Sequence, residues 1–92
     1  MERKRNRVEI MHDMLKIIQE NGGNVKKTHL MYKANLSHKQ MESYLKDLTG
    51  SELIEINISL SGNKSSIEVT KKGSDFLIKY IQVKEFEKTF GL

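Results

Sequence analysis

The stretch KKTHLMYKANLSHKQMESYLKDLTG, which runs from Lys26 to Gly50, predicts a helix, a tight turn and a second helix. Asn35 lies at the centre of the turn, and asparagine tolerates the left-handed backbone geometry that such turns use. Ser37 then caps the second helix, and Gln40, three residues later, completes a capping-box pattern. Of all the segments in the chain, this pair of helices has the most specific pattern.

The second of these helices has one apolar and one polar face. The apolar residues, which recur at helical spacing and which we expect to be buried, are Met41, Tyr44, Leu45 and Leu48. Lys39, Ser43 and Lys46 fall on the opposite face, with Glu42 at its edge. This layout is typical of a helix-turn-helix. An ordinary helical hairpin with a solvated face is the alternative, because periodicity alone does not separate the two.

The composition is that of one small domain. Ninety-two residues can bury a modest core without cross-links, and the absence of cysteine excludes disulfides and thiolate metal sites. No apolar run approaches membrane-spanning length. Glu9, His12 and Asp13 interrupt the segment in which a signal peptide would need its apolar core. We therefore expect a cytoplasmic protein.

The net charge of +4 is concentrated in the first half of the chain. Residues 1–50 hold ten Lys or Arg against six Asp or Glu, whereas residues 51–92 hold six of each. This distribution suits a polyanion partner, although many soluble domains of similar charge bind none. The chain begins with a basic arm, Arg3, Lys4, Arg5 and Arg7. The arm either lies along phosphates or in a groove, or it is a solvated, frayed helix start.

Apolar residues at three- and four-residue steps predict the first helix. They are Val8, Met11, Met14, Leu15 and Ile18. Asn21-Gly22-Gly23 ends this helix, since glycine commonly follows a helix end. Asn24 and Val25 lead into the second helix, whose cap is either Asn24 or Thr28.

The second helix also has inner and outer positions. The inner positions are Leu30, Met31 and Ala34, and the basic outer positions are Lys26, Lys27 and Lys33. Tyr32 either packs at the rim, which is the more common fate of such a residue, or hydrogen-bonds a phosphate.

After these helices the hydrophobic period changes from helical to alternating. Every second residue is apolar through 53–60, and residues 66–70 alternate again. The polar cluster 61–65 joins the two runs into a β-hairpin. A hairpin directly after a helix-turn-helix is a wing, and its tip, with Asn63 and Lys64, suits contact with a phosphate backbone or minor groove. A plain hairpin that covers the core is the alternative.

Thr70 caps a last helix, which is predicted to run from Lys71 to about Phe90. Its apolar rows are Phe76, Tyr80 and Val83 on one side, and Leu77 and Ile81 on the other. Phe86 and Phe90 continue the apolar character past the point where so small a core needs it. We therefore expect a homodimer that pairs through this helix, most simply antiparallel. The alternative is a helix that folds back over its own domain.

The order helix, helix, helix, hairpin, helix predicts an α+β fold, mostly α, of the winged helix-turn-helix class. Three helices and a two-stranded wing form a domain over residues 1–72, which includes the basic arm. Residues 73–92 form the C-terminal helix, which is expected to mediate dimerisation.

Residues 27–40, KTHLMYKANLSHKQ, resemble the KTRIMYKANLSYKQ stretch of archaeal winged-helix DNA-binding proteins. These include the Sulfolobus ten-kilodalton chromatin-type proteins and related small transcriptional regulators. Residues 50–54 and the TKKG sequence at 70–73 also resemble that family. The resemblance implies double-stranded DNA binding, nucleoid association, dimerisation through the last helix and no cofactor. His29 stands where the family usually has arginine, and the last helix is shorter than that of the chromatin-type members.

The predicted mechanism places the Ser37–Thr49 helix in the major groove. The predicted DNA-binding residues are Lys26, Lys27, Tyr32, Lys33, Ser37, His38, Lys39, Glu42, Ser43, Lys46, Asn63 and Lys64. The predicted dimerisation residues are Leu77, Tyr80, Ile81, Val83, Phe86 and Phe90. Glu42 would repel phosphate unless it accepts from a cytosine amino group or pairs with Lys46, four residues on.

An enzyme is not expected from this sequence. His12, His29 and His38 lack metal-ligand spacing, and no glycine-rich phosphate loop is present. No catalytic residue, metal, cofactor or small-molecule ligand is therefore predicted. The competing function is that of a protein-interaction adaptor, since the apolar tail with Phe86 and Phe90 could dock on a larger assembly.

Overall fold

A computed structural model describes residues 5–22, 24–58 and 65–92. Its elements, in chain order, are helix α1 (Arg7–Glu20), strand β1 (Asn24–Val25), helix α2 (Lys27–Ala34), helix α3 (His38–Gly50), strand β2 (Ile54–Ile58), strand β3 (Ser65–Val69) and helix α4 (Lys71–Phe90). The predicted order of helices and hairpin is confirmed, and the fold is a winged helix-turn-helix.

The sheet contains one strand that the sequence analysis missed. Its order is β1-β3-β2, with both pairings antiparallel, and Val25 of β1 lies opposite Ile67 of β3. Asn24 and Val25 were expected only to lead into α2. A strand of two residues has no alternation that a sequence could reveal, and its pairing depends on a partner some forty residues away. β1 fixes the chain between α1 and α2 to the base of the wing.

The core joins all four helices to the base of the sheet. Its buried residues are Ile10, Met11, Met14, Leu15, Ile18, Val25, Leu30, Ala34, Leu36, Met41, Leu45, Leu48, Leu53, Ile54, Ile67 and Leu77. The predicted stripe of α1 is wrong at Val8, which is 50% exposed, while Ile10 is buried. Val8 lines an open cleft between α1 and α4 rather than packing in the core.

The turn of the helix-turn-helix has the predicted left-handed residue. Asn35 adopts φ 56° and ψ 51°, and the Leu36 amide donates to the Met31 carbonyl at 3.1 Å. This six-to-one hydrogen bond is the mark of a Schellman ending, in which an apolar residue after the left-handed position packs inward. Leu36 is that residue, and it is buried. The turn is therefore fixed both by backbone bonds and by the core.

α3 begins with the predicted capping box. Ser37 Oγ accepts from the Gln40 amide at 3.1 Å, and Gln40 Oε1 accepts from the Ser37 amide at 3.0 Å. α2 lacks such a cap: its N-cap is Lys26, without a side-chain hydrogen bond, so the assignment of Asn24 or Thr28 was wrong. Asn24 is two residues before the cap position, and Thr28 is already inside the helix.

Ser37→Ala is expected to lower the free energy of unfolding by about 1 kcal/mol, because it removes the capping oxygen from the first turn of α3. Chemical denaturation of the variant measures this loss. Ser43→Ala, an exposed change on the same helix, is the matched control and should stay within about 0.5 kcal/mol of wild type. Equal stability of both variants would contradict the capping role.

The wing is buried only at its base. Ile54 and Ile67 are buried, but Ile56, which the alternating pattern placed on the buried face, is 37% exposed. Ile56 pairs with Ile67 across the ladder, but β3 is the central strand and β2 an edge strand, so Ile67 is buried while Ile56 lines an open groove. The predicted wing tip, with Asn63 and Lys64, lies outside the described residues.

α4 begins where the sequence predicted. Thr70 Oγ1 accepts from the Gly73 amide at 3.1 Å and donates to the Glu52 carbonyl at 2.6 Å. Leu77 packs in the core, and the helix continues uninterrupted to Phe90, passing α1 where His12 stacks on Tyr80. Among the helices of the described segments, none combines the length and apolarity needed to cross a membrane.

Candidate nucleic-acid interface

The polar face of α3 is fully open to solvent. The exposed residues along it are His38, Lys39, Glu42, Ser43 and Lys46. Lys39 and Lys46 have no ion-pair partner among the described residues, so both ammonium groups are available to a ligand. The buried side of the same helix, with Met41, Leu45 and Leu48, holds this face in a fixed orientation.

A groove of about 790 Å³ runs between α3 and the wing. Its lining residues are Lys27, Glu42, Ser43, Leu45, Lys46, Thr49, Gly50 and Ile56. Ile56 and Thr49 were missed as site residues. The pattern of β2 predicted burial for Ile56, and only the placement of the wing beside α3 shows that this side chain faces the groove.

The Glu42 carboxylate forms an ion pair with Lys27 of α2. Its Oε1 lies 3.3 Å from Lys27 Nζ and 3.7 Å from His38 Nε2. A pair with Lys46, one of the two alternatives considered for Glu42, is not formed, because the tight turn brings Lys27 at the start of α2 beside α3. The pair of Lys27 with Glu42 links the two helices and leaves Lys46 without a carboxylate partner in the part of the chain described here.

The outer face of α2 adds basic and aromatic groups beside α3. Lys26 and Lys33 are exposed, and so is His29. Tyr32 is 80% exposed, so the expectation that its ring packs at the rim is wrong. Its inner neighbours Leu30 and Ala34 fill the core instead, which leaves the phenol of Tyr32 accessible to a ligand.

The two described arginines of the basic arm, Arg5 and Arg7, contact their own chain. Arg5 Nη1 donates to Asp13 Oδ2 at 2.9 Å, and Arg5 Nη2 donates to the Ala34 carbonyl at 2.7 Å. Arg7 Nη2 lies 3.1 Å from Asp47 Oδ2 of α3. Neither predicted alternative, a phosphate contact or a frayed helix start, describes Arg5. Arg3 and Lys4 lie outside the described residues.

A second surface lies along the outer part of α4. Its exposed apolar residues are Ile78 (56%), Ile81 (53%), Val83 (56%), Phe86 (56%) and Phe90 (65%). The Phe86 and Phe90 rings contact each other with centroids 4.8 Å apart. Two predicted members do not belong to this surface. Leu77 is only 6% exposed and serves the core, and Tyr80 is half-buried against His12.

In residues 5–22, 24–58 and 65–92, no three His, Cys, Asp or Glu side chains come together as metal ligands. His38 contacts Glu42, and His12 contacts Asp13 and the Tyr80 ring. What the surface offers is a protruding helix with cations, an adjoining groove and a wing.

This architecture defines a winged helix-turn-helix protein, and the chain belongs to that family. The family's sequence profile, described as Winged helix-turn-helix, matches residues 4–88. No sequence among the curated proteins matches this one.

Several solved structures share the fold. Sso10a-2, a DNA-binding protein from Sulfolobus solfataricus, superposes with a TM-score of 0.75 at 21% identity, over 95% of this chain and 90% of that one. A point mutant of Staphylococcus aureus MepR, bound to an oligodeoxyribonucleotide, gives 0.74 at 14% identity, over 88% of this chain. BpsR of Bordetella bronchiseptica, whose DNA binding is regulated by 6-hydroxynicotinic acid, gives 0.74 at 13% identity, over 89% of this chain.

The chain is similar in length to Sso10a-2 but spans only 61% of the MepR chain and 64% of BpsR. The predicted resemblance to the Sulfolobus ten-kilodalton proteins is thus confirmed at the level of the fold.

Proposed function

We propose that this protein binds double-stranded DNA, as a transcriptional regulator or a chromatin-type protein, and inserts α3 into the major groove. The observation that carries the proposal is the open face of α3, where Lys39 and Lys46 lack carboxylate partners in the described chain. A helix of this kind beside a wing is the arrangement that reads duplex DNA in helix-turn-helix proteins. The DNA-bound MepR structure of the same fold supports the proposal.

The proposed contacts divide by chemistry. Lys39 and Lys46 bind phosphates or guanine edges, since an ammonium group donates to either. Ser37, Tyr32 and Lys33 hold the sugar–phosphate backbone at the start of α3. The further contacts that we propose come from Lys26, Lys27, His38, Ser43 and, on the wing, Asn63 and Lys64.

Glu42 takes a role in specificity rather than affinity. Because the Lys27 ammonium group lies 3.3 Å from its carboxylate, Glu42 repels phosphate less than an isolated glutamate would. The oxygen that remains available can accept from a cytosine N4 amino group in the major groove. We therefore expect Glu42→Gln to change base preference more than overall affinity.

Titration of a fluorescently labelled duplex with the protein, followed by anisotropy at several salt concentrations, tests the proposal. A dimer that engages roughly six to ten phosphates should lose about 10³–10⁵ in affinity between 50 and 200 mM salt. A random-sequence duplex as competitor separates specific from architectural binding. Absence of binding at low salt would contradict the proposal and leave the apolar surface of α4 as a docking site for another protein.

We further propose that residues 73–92 pair two copies of the chain into a homodimer, with residues 1–72 as the DNA-binding unit. Five exposed apolar side chains on α4 support this, because so much exposed apolar area on one helix of a small domain commonly marks an interaction surface. The proposed contacts are Ile78, Ile81, Val83, Phe86 and Phe90. Two copies would present two α3 helices to one duplex.

Phe86→Glu/Phe90→Glu is expected to convert the dimer to a monomer of about 10.7 kDa, because it places two charges in the apolar interface. Light scattering coupled to size-exclusion chromatography measures the mass. Lys39→Glu changes the net charge by the same amount but lies on the exposed face of α3, outside the proposed dimer contacts, so it should remain dimeric. An unchanged mass for the double variant would contradict this pairing.

We propose no catalytic activity and no cofactor for this protein. A cytoplasmic, nucleoid-associated location follows from the proposed DNA binding. Cell fractionation that recovers the protein with DNA, and loses it after nuclease treatment, tests that location.

A further inference from the structure

Arg5 bridges three parts of the chain that are distant in sequence. Its guanidinium donates from Nη1 to Asp13 Oδ2 at 2.9 Å and from Nη2 to the Ala34 carbonyl at 2.7 Å. The Asn35 carbonyl lies 3.5 Å from Nη2. The Arg5 and Asp13 side chains are 29% and 36% exposed, so the bridge is partly shielded from water.

The bridged carbonyls belong to the turn that orients the proposed recognition helix. Ala34 is the last residue of α2, and Asn35 is the left-handed residue from which the chain enters α3. The final carbonyls of a helix lack intrahelical donors and carry the negative end of its dipole. A guanidinium satisfies such carbonyls and, with its second arm, a carboxylate, because its donors form a rigid planar fork.

The bridge extends from Asp13 towards α4. The second carboxylate oxygen, Oδ1, lies 3.1 Å from His12 Nδ1. The His12 ring stacks on the Tyr80 ring of α4, with centroids 4.1 Å apart and an angle of 19° between the planes. A continuous series of contacts thus runs from α4, through α1 and Arg5, to the turn before α3.

We propose that Arg5 and Asp13 are positioning residues for DNA recognition, which hold the turn before α3 and join its orientation to α1 and α4. The inference rests on the proposed function, since it concerns the geometry with which α3 meets DNA. It assigns Arg5 a role different from that of a free basic arm. The guanidinium is already committed to protein acceptors and does not count among the phosphate contacts.

A purely electrostatic role of Asp13 and a positioning role predict opposite effects of Asp13→Asn on the affinity for duplex DNA. Removing a carboxylate makes the protein more positive, so electrostatics alone predicts tighter DNA binding. Positioning predicts weaker binding, because a neutral amide replaces the charged acceptor of the guanidinium. Arg5→Lys keeps the positive charge but removes the planar guanidinium donors. Electrostatics therefore predicts unchanged DNA affinity, whereas positioning predicts weaker binding.

The experiment measures duplex-DNA affinity and its salt dependence for wild type, Asp13→Asn, Arg5→Lys and Arg5→Ala. We expect each variant to bind about 10-fold more weakly, which matches the strength of one charge-assisted hydrogen bond. The slope of log affinity against log salt should stay at the wild-type value even for Arg5→Ala, whereas loss of a phosphate contact lowers it by about 1. Arg7→Lys, on the same arm but bound to Asp47, is the control and should bind as wild type does.

Amide hydrogen exchange in the DNA-free protein tests whether the Arg5–Asp13 contact stabilises the turn, independently of DNA affinity. In Asp13→Asn, amide hydrogen exchange should accelerate at Asn35 and Leu36, whose amides donate within the turn, and should remain unchanged in the core of α3. Faster exchange with weaker binding supports the proposal.

Three results would overturn it. If wild type binds DNA but Asp13→Asn binds equally well or more tightly, the positioning role is wrong and the proposed function stands. If wild type does not bind DNA, both are wrong. A slope that falls by about 1 in Arg5→Ala would make Arg5 a phosphate contact instead.

Discussion

Lys39→Glu/Lys46→Glu is expected to weaken binding to duplex DNA by roughly 100-fold or more at moderate salt. Both lysines lie on the exposed face of α3. Neither forms an ion pair with a carboxylate of the described residues, so the substitutions break no intramolecular ion pair there. Each loses its attraction to phosphate or base and gains repulsion, and about 1.4 kcal/mol per lysine already gives this factor. Anisotropy titration measures the affinities, and the salt slope should fall by about 2.

The matched control is Lys16→Glu/Lys71→Glu, which also lowers the net charge from +4 to zero. These lysines lie on α1 and α4, outside the proposed interface. The control should lose far less affinity, since only long-range attraction changes and salt screens it over about 10 Å. Equal losses in the two double variants would mean that net charge, rather than the face of α3, drives binding.

Gly73→Ala is expected to lower the free energy of unfolding by about 3 kcal/mol, the upper part of the range for overpacking in a core. A Cβ at this position would collide with the Leu53 carbonyl oxygen and come within 2.8 Å of Val69 Cγ1. The Leu53 carbonyl cannot move away freely because it accepts from the Thr70 amide at 3.1 Å. Thermal denaturation should show a fall in Tm of roughly 12–24 °C.

Gly50→Ala is the control for this glycine. A Cβ on Gly50, at the end of α3, would meet no atom within 4 Å. Alanine also reduces the freedom of the unfolded chain, so this variant should be as stable as wild type or more stable by up to about 1 kcal/mol. If Gly73→Ala matched Gly50→Ala, the close packing of α4 on the Leu53 backbone would be wrong.

Local patterns predicted the elements of this fold well. The capping box at Ser37 and Gln40, the left-handed Asn35 and the Thr70 cap are signals that each lie within a few residues of chain, and each one is present in the structure. The apolar face of α3 was equally clear, because a core contact recurs at every turn of a buried helix.

The features that escaped prediction depend on contacts between distant segments. Glu42 finds Lys27 rather than Lys46 because the tight turn brings α2 across α3, and Arg5 reaches the Ala34 carbonyl from twenty-nine positions away. The pattern of β2 gives Ile56 the same signal as Ile54, although only Ile54 meets the core. Glu52 adopts φ 62° after α3, a conformation for which the sequence offers neither Gly nor Asn as a signal.

Amide chemical shifts during titration of the labelled protein with a short duplex test the central claim most directly, because they report which surface meets DNA. If α3 enters the major groove, the largest changes will fall on the start of α2 and the exposed face of α3, from Lys26 to Lys46, with small changes on the outer half of α4. Changes concentrated on α4 around Phe86, or the absence of changes at low salt, would contradict it.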